Sequence, residues 1–295
     1  MTHHDTMIQF INAKINIGLH IIRKRSDGYH DLQTIFHPIG LYNGTPRCPY
    51  PLCDILEITP RGGSEDIYTF SGNSIDCPLE SNLVYRAVQL YRAGCGGEGL
   101  PPLHISLEKH IPDGAGLGGG SADASFTLRV LNALSQNPLT NCELETLAAR
   151  LGADCPVFIS NRPAYAEGVG EMLMPVDINL SGRWTVIVKP PFGIPTREAF
   201  AGITPRDNRI DLRKAVTQPI DQWKGLIAND FEASLFPNHP ELPFIKETLY
   251  DCGAMYASMS GSGSAMYGIF QGRDEAEQAA HDSRFLPFGV FIAML

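Results

Sequence analysis

Ile15, Ile17, Leu19 and Ile21 occupy every second position, a period that places them on one face of a strand. Lys14, Asn16, Gly18 and His20 then share the other face. Asp27-Gly28, just beyond, reads as a hairpin turn. Asp54 to Thr59 and the alternating Leu103, Ile105 and Leu107 read as further strands. Ser81 or Asn82 caps a helix with Leu83, Ala87, Leu90 and Tyr91 on one stripe and Gly94 at its end. A second helix runs from Ser121, with Ala124, Leu128 and Leu131 along one side, until Pro138 stops it. Thr140 and Glu143 form a capping-box pattern for a third, and Gly152 closes it, so Asp154 sits just past a helix end. The second half reads as a strand over 184–189, helices near Thr196 and over 242–250, and two strands around 260–264. A helix over 274–281 and a strand over 290–293 complete it. That order resembles a split βαβ sandwich.

The chain has 295 residues, enough for about two domains with cores of their own. Its charge, 23 − 32 = −9, argues against nucleic acid as a partner, because phosphate backbones select basic faces. A small anion held by backbone N–H groups stays open. No apolar run approaches the roughly 18–20 residues of a membrane span, and the first residues show no signal-like apolar core. The seven cysteines form no CxxC pair, which points to free thiols in a reducing cytoplasm. The stretch Asn43 to Cys53, rich in Pro, Gly and Cys, reads as a loop.

The most informative segment is Asp113-Gly-Ala-Gly-Leu-Gly-Gly-Gly-Ser121. Glycine lets a ligand approach the backbone with no Cβ in the way. The helix that follows points its unpaired N–H groups and its positive dipole end back at the loop. Together these make an anion site. Gly114, Gly116 and Gly119 satisfy G-x-G-x-x-G, but the acidic residue a dinucleotide site needs about 20 positions on falls at Leu134. The Walker A pattern fails because Gly120 stands in place of its lysine. A flexible turn without ligand is one remaining reading. A third class of phosphate loop is the other, with backbone N–H groups holding a nucleoside triphosphate and Ser121 offering a hydroxyl to phosphate or Mg²⁺.

Lys109 to Ser125 (KHIPDGAGLGGGSADAS) resembles the phosphate loop of the GHMP small-molecule kinases. AKIN at 13–16, DGYH at 27–30, GADCPVF at 152–158 and AEGVGE at 166–171 narrow the resemblance. IPTREAF at 194–200, NDFE at 229–232 and SGSGS at 260–264 do the same. They point to the branch whose acceptor is a cytidine diphosphate-linked methylerythritol. The motifs cover nearly the whole chain in order.

The resemblance implies an α+β, two-domain GHMP kinase fold. An N-terminal ATP-binding α/β domain would span 1–162, and a C-terminal ferredoxin-like split βαβ domain 163–295. It implies transfer of the γ-phosphoryl of ATP, with Mg²⁺, to a tertiary alcohol. Asp154 matches the base or orienter of the attacking hydroxyl. Lys14 matches a catalytic lysine that would keep Asp154 ionised and balance charge on the transferred group. Pro112, Asp113, Gly114, Ala115, Gly116, Leu117, Gly118, Gly119, Gly120, Ser121 and Ala122 match the phosphate loop. Asn82 and Lys109 match positions near the adenine, Asn82 being equally a helix cap. Asn16, Tyr29, His30, Thr196 and Phe200 match the acceptor site, with Tyr29 and Phe200 stacking on cytosine and His30 reading its edge. Thr196 also suits a helix N-cap. No metal ligand is assigned beyond Ser121. Glu167 and Glu171 are left between metal and loop roles. The expected partners are ATP and the cytidine diphosphate alcohol, and the expected state a cytoplasmic monomer or homodimer.

Overall fold

The structure, a computed structural model, describes residues 6–41, 51–94, 97–207 and 209–295. Residues 43–50 of the Pro/Cys-rich loop lie outside the described residues. In chain order the elements up to residue 160 begin with β1 (Met7–Asn12), β2 (Lys14–Lys24), β3 (His30–Pro38), β4 (Cys53–Pro60) and β5 (Ile67–Gly72). Then come α1 (Leu83–Ala93), β6 (Leu103–Lys109), α2 (Gly119–Leu134), α3 (Asn141–Ala149) and α4 (Cys155–Ser160). The remainder comprises β7 (Ala164–Glu167), β8 (Met172–Pro175), β9 (Trp184–Lys189), α5 (Thr196–Ala201), α6 (Leu212–Ala215) and α7 (Asp230–Leu235). It ends with α8 (Glu241–Asp251), β10 (Tyr256–Met259), β11 (Met266–Phe270), α9 (Arg273–Ala280) and β12 (Gly289–Met294).

The chain forms two compact units, and they interleave in sequence. The first holds 1–13, 53–112 and 118–161; the second holds 14–52, 113–117 and 162–295. The single division expected at 162/163 therefore misses two segments. The reason is strand pairing: β2 and β3 join β7 and β8 in one sheet, so the hairpin follows its partners rather than its place in the chain.

The first unit has the sheet order β1-β4-β6-β5, with β5 and β6 parallel and the other pairs antiparallel. Leu103, Ile105, Leu107 and Lys109 share the inward parity of β6 and are all buried. Helix α1 buries Val84, Ala87, Val88 and Tyr91, one step round from the expected stripe of Leu83 and Leu90. Asn82 is its N-cap, accepting from the Val84 N–H at 2.8 Å. The Thr140–Glu143 capping box of α3 is present. Helix α2 is buried nearly all round, Asp123 included.

In the second unit the antiparallel sheet β10-β11-β9-β12 carries α8 against β10 and β11 and α9 against β9. This is the strand order of a split βαβ sandwich. A second sheet, β2-β3-β7-β8, has its hairpin at Asp27-Gly28, as expected. The four aliphatic residues of β2 do not share one face. Gly18, at φ 66°, is a bulge, and the pairing slips between Ile17 and Leu19. An extra residue exchanges the two faces. Leu19 and Ile21 consequently enter the core with Val186, Phe231 and Leu235. A Cβ on Gly18 would press on Leu212 and Ile227. Among the described residues no helix is long and apolar enough to cross a membrane.

Candidate active site

In the first unit the glycine-rich segment becomes helix. Gly118, at φ 73°, occupies the N-cap with the left-handed backbone glycine tolerates, and its carbonyl accepts from the Ala122 N–H at 2.8 Å. The first turn, Gly119 to Ser121, carries no acidic side chain to compete for its N–H groups. An anion here meets donors and the positive helix end. Beside this turn lies the Asp154 segment. The Ser125 hydroxyl donates to the Cys155 carbonyl at 2.7 Å. A Cβ on Gly152 would stand 3.3 Å from the Cys155 Sγ and 3.8 Å from the Ser121 Oγ. Asp154 occupies the N-cap position of α4, yet its side chain makes no capping bond and is half-buried. Burial pushes the neighbouring Cys155 thiol up to about 12, so it stays protonated and inert.

Asn82 caps α1, as one of its expected readings had it, and also lines a cavity of about 500 Å³ with Tyr68, Phe70, Gly72, Asn73 and Leu79. Lys109 makes a further set of contacts that the sequence reading did not include. Its ammonium points into the protein, ion-paired with Asp54 and, at 2.6 Å, with Asp123. Neither aspartate was expected from the sequence.

In the second unit Lys14 is 2% exposed. Its ammonium donates to the Asn16 Oδ1 at 2.6 Å and to the Gly116 carbonyl at 2.9 Å. Asn16 is held in turn: its amide donates to the Thr34 Oγ1 at 3.0 Å, and its carbonyl accepts from the Tyr267 hydroxyl at 2.9 Å. The carbonyls of 114–117 are all engaged. Gly114 accepts from the Ser264 N–H, Ala115 from the Ala265 N–H, and Leu117 from the Lys14 N–H. Gly116 also accepts from the Ser260 hydroxyl at 2.8 Å. A Cβ at Gly116, φ 74°, would overlap the Ser260 carbonyl, so only glycine fits. The SGSGS turn thus serves the glycine-rich segment, and the NDFE motif serves that turn. Asn229 donates to the Met259 and Gly261 carbonyls, while Glu232 accepts from the Ser258 hydroxyl and the Met259 N–H.

The residues expected at the acceptor site also fall in the second unit. The His30 ring stacks on Phe200 at 4.6 Å between centroids, and Phe200 meets Phe231 edge-on. Burial and the Lys24 charge lower the His30 pKa, which favours the neutral ring. Tyr29 is 64% exposed beside them. Thr196 is the first residue of α5 and exposed. Pro195 takes the cap position, so the capping alternative for Thr196 fails. Glu167 accepts from the Tyr165 hydroxyl within β7, and Glu171 accepts from the Val169 N–H in the turn that follows. Among the described residues no three His, Cys, Asp or Glu side chains gather as a metal site.

Thr34, Tyr267, Asn229, Asp54 and Asp123 are the supporting residues sequence reasoning missed. Lys109 and Asp123 carried a usable signal: the period of β6 puts Lys109 inward, and a buried ammonium needs carboxylates near it.

Known proteins bear on the same residues. Residues 82–162 match the GHMP kinases N terminal domain and residues 211–283 the GHMP kinases C terminal. A 4-diphosphocytidyl-2-C-methyl-D-erythritol kinase of Porphyromonas gingivalis is 44% identical over 276 residues, 93% of this chain and 96% of that one. Its namesake in Bacteroides thetaiotaomicron is 46% identical over 265 residues, 90% and 92% of the two chains. A crystal structure of 4-(cytidine 5'-diphospho)-2C-methyl-D-erythritol kinase superposes with a TM-score of 0.77. It is 32% identical and covers 97% of this chain and 98% of its own. With both halves of the fold matched and near half of all residues shared end to end, the chain belongs to the 4-diphosphocytidyl-2-C-methyl-D-erythritol kinases, within the GHMP kinases.

Proposed function

We propose that this chain transfers the γ-phosphoryl group of ATP to the 2-hydroxyl of 4-diphosphocytidyl-2-C-methyl-D-erythritol. The products are ADP and the 2-phosphate, a step in the non-mevalonate route to isoprenoid precursors. The observation that carries this reading is the full-length match to relatives bearing that name. The proposed setting is the cytoplasm.

Such a transfer needs in-line positioning and charge stabilisation more than covalent chemistry. The N–H groups of Gly119, Gly120 and Ser121 hold the triphosphate at the start of α2. The cavity beside Asn82, walled by Tyr68 and Phe70, takes the adenine. Mg²⁺ fits this donor set as an ion arriving on the triphosphate, with the Ser121 hydroxyl as its protein ligand, and it neutralises phosphate charge when bound. Lys14, fixed by Asn16 and Gly116, offsets negative charge growing on the transferred group. Asp154, whose side chain is not spent on capping, orients the attacking hydroxyl and takes its proton. His30 and Phe200 provide the platform for cytosine, with Tyr29 closing over it and Thr196 near the acceptor. Stacking of that kind contributes about 1–3 kcal/mol per base.

The test is ADP release with the cytidine compound, run beside mevalonate and homoserine. Turnover with the cytidine compound alone is expected. Turnover with another alcohol would overturn the acceptor assignment while leaving a kinase.

A further inference from the structure

The ion cluster beneath the start of α2 has no place in the phosphoryl-transfer chemistry above. Lys109 ends β6, Asp54 lies on β4, and Asp123 lies in the second turn of α2. Asp54 is 0% and Asp123 3% exposed. The ammonium of Lys109 is shared between them. Asp54 reaches further: its Oδ1 accepts the N–H groups of His110 at 2.6 Å and Ile111 at 2.8 Å, which fixes the turn out of β6. The Ile111 side chain then lies under Gly119, where an added Cβ would come within 2.9 Å of it and 3.3 Å of the Lys109 Nζ. The cluster therefore joins the residues that enter the glycine-rich segment to the helix that leaves it.

Charge is an odd material for a mere strut. A buried charged set is often no more stable than an apolar one of the same shape. What it adds is direction, because each oxygen and proton must meet a particular partner. Asp54 accepts from three donors. The Asp123 Oδ2 accepts from Lys109 at 2.6 Å, and its Oδ1 has no hydrogen-bond partner among the described residues. Burial, then the charge of Asp54, holds the Asp123 carboxyl well above the usual range against the pull of Lys109. The Lys109 ammonium is spent on these two side chains, which leaves the helix N–H groups as the donors facing an anion. The Lys109 main chain faces the other way, its carbonyl accepting from the N–H of Asn73 in the cavity wall.

We propose that Lys109, Asp54 and Asp123 are positioning residues that clamp both ends of the glycine-rich segment and so set the first turn of α2 for the phosphate chain of the nucleotide. This rests on the kinase reading, and it assigns the Lys109 ammonium to the phosphate end of the site rather than to the adenine.

Inorganic tripolyphosphate separates the two, since it has phosphates and no base. Its Kd is measured by calorimetry for the wild-type chain, Asp123→Asn and Lys109→Met, alongside KM for ATP and for the cytidine alcohol. The clamp requires the tripolyphosphate Kd and the ATP KM to rise by a common factor, about tenfold or more, as small misplacements do. The KM of the alcohol stays unchanged. A raised ATP KM with unchanged tripolyphosphate Kd would overturn the clamp in favour of a base contact. Unchanged values throughout, or an equal rise for the alcohol, would also overturn it. If Lys109→Met does not melt cooperatively, Asp123→Asn decides alone, because it keeps the shape and leaves Lys109 on Asp54. A wild-type chain that binds tripolyphosphate but does not phosphorylate the cytidine alcohol would sink the functional reading and leave this one standing.

Discussion

The two halves of the glycine-rich segment belong to different compact units and are held by different means. Residues 114–117 are fixed through their carbonyls, by hydrogen bonds from the main chain of Lys14, Ser264 and Ala265, the Ser260 hydroxyl and the Lys14 ammonium. Residues 118–122 begin a helix whose first turn rests on a buried ion cluster and on Ile111. The first arrangement spreads its hold over many contacts of about 1 kcal/mol each. The second concentrates it in one ammonium and two carboxylates. It leaves the helix N–H groups unspent, as an anion site requires. Glycine itself differs in meaning between the halves: Gly116 is glycine because a backbone oxygen fills the Cβ position, whereas a Cβ on Gly120 would meet only Leu83 at 3.6 Å.

The largest expected effect lies outside both halves and tests the chemistry they frame. Asp154→Ala should lower kcat by about 10²–10⁴-fold, the range of a lost acid–base group. ATP affinity should change little, as measured by steady-state kinetics and calorimetry. An ATP Kd rising in parallel would mean that Asp154 holds the nucleotide.

Gly116→Ala and Gly120→Ala sharpen the contrast directly. The first forces a Cβ into the Ser260 carbonyl at a left-handed φ, and a loss of about 2–4 kcal/mol in denaturant unfolding is expected. The second replaces a helical glycine and should raise stability by up to about 1 kcal/mol. It should nonetheless raise the KM for ATP, because the methyl group stands where phosphate approaches. Equal stability losses for the two would break the distinction.

Acid provides a third lever, acting in opposite senses on the two units. His20 and His37, on the hairpin that carries Lys14, are both lowered by burial to about 4, with Arg209 adding to the effect at His20. An unfolded histidine near 6.5 binds its proton first. Stability from these two is therefore complete above pH 6.5 and is lost as pH falls toward 4. Each contributes at most about 1.4 kcal/mol per pH unit across that window. Asp123, raised in the folded state, behaves the other way, and its contribution is lost as pH rises above the ordinary carboxylate range. His37→Gln should remove about one proton from the slope of stability against pH between 6.5 and 4. An unchanged slope would show that His37 titrates normally.

Most elements and the chemistry-bearing motifs were legible because they are local. The capping box at Thr140, the alternation in β6 and the glycine run each state their physics within a few residues. Strands β7 and β8 were not legible, since four-residue strands carry too little period to distinguish them from loop. The bulge at Gly18 misled the face assignment of β2, because alternation continues in sequence while the pairing slips by one. Asp123 was hidden by its position on a helix buried all round, where an amphipathic stripe gives no guidance. Lys14 and Asn16 survived the bulge because both precede it.

The most direct test is phosphorus NMR of the product formed from ATP and 4-diphosphocytidyl-2-C-methyl-D-erythritol, with the wild-type chain and Asp154→Ala side by side. The expected result is a new phosphomonoester signal beside an intact diphosphate pair for the wild type, and almost none for the variant. A monoester formed by the variant at the wild-type rate, or breakage of the substrate's diphosphate by either protein, would contradict the account.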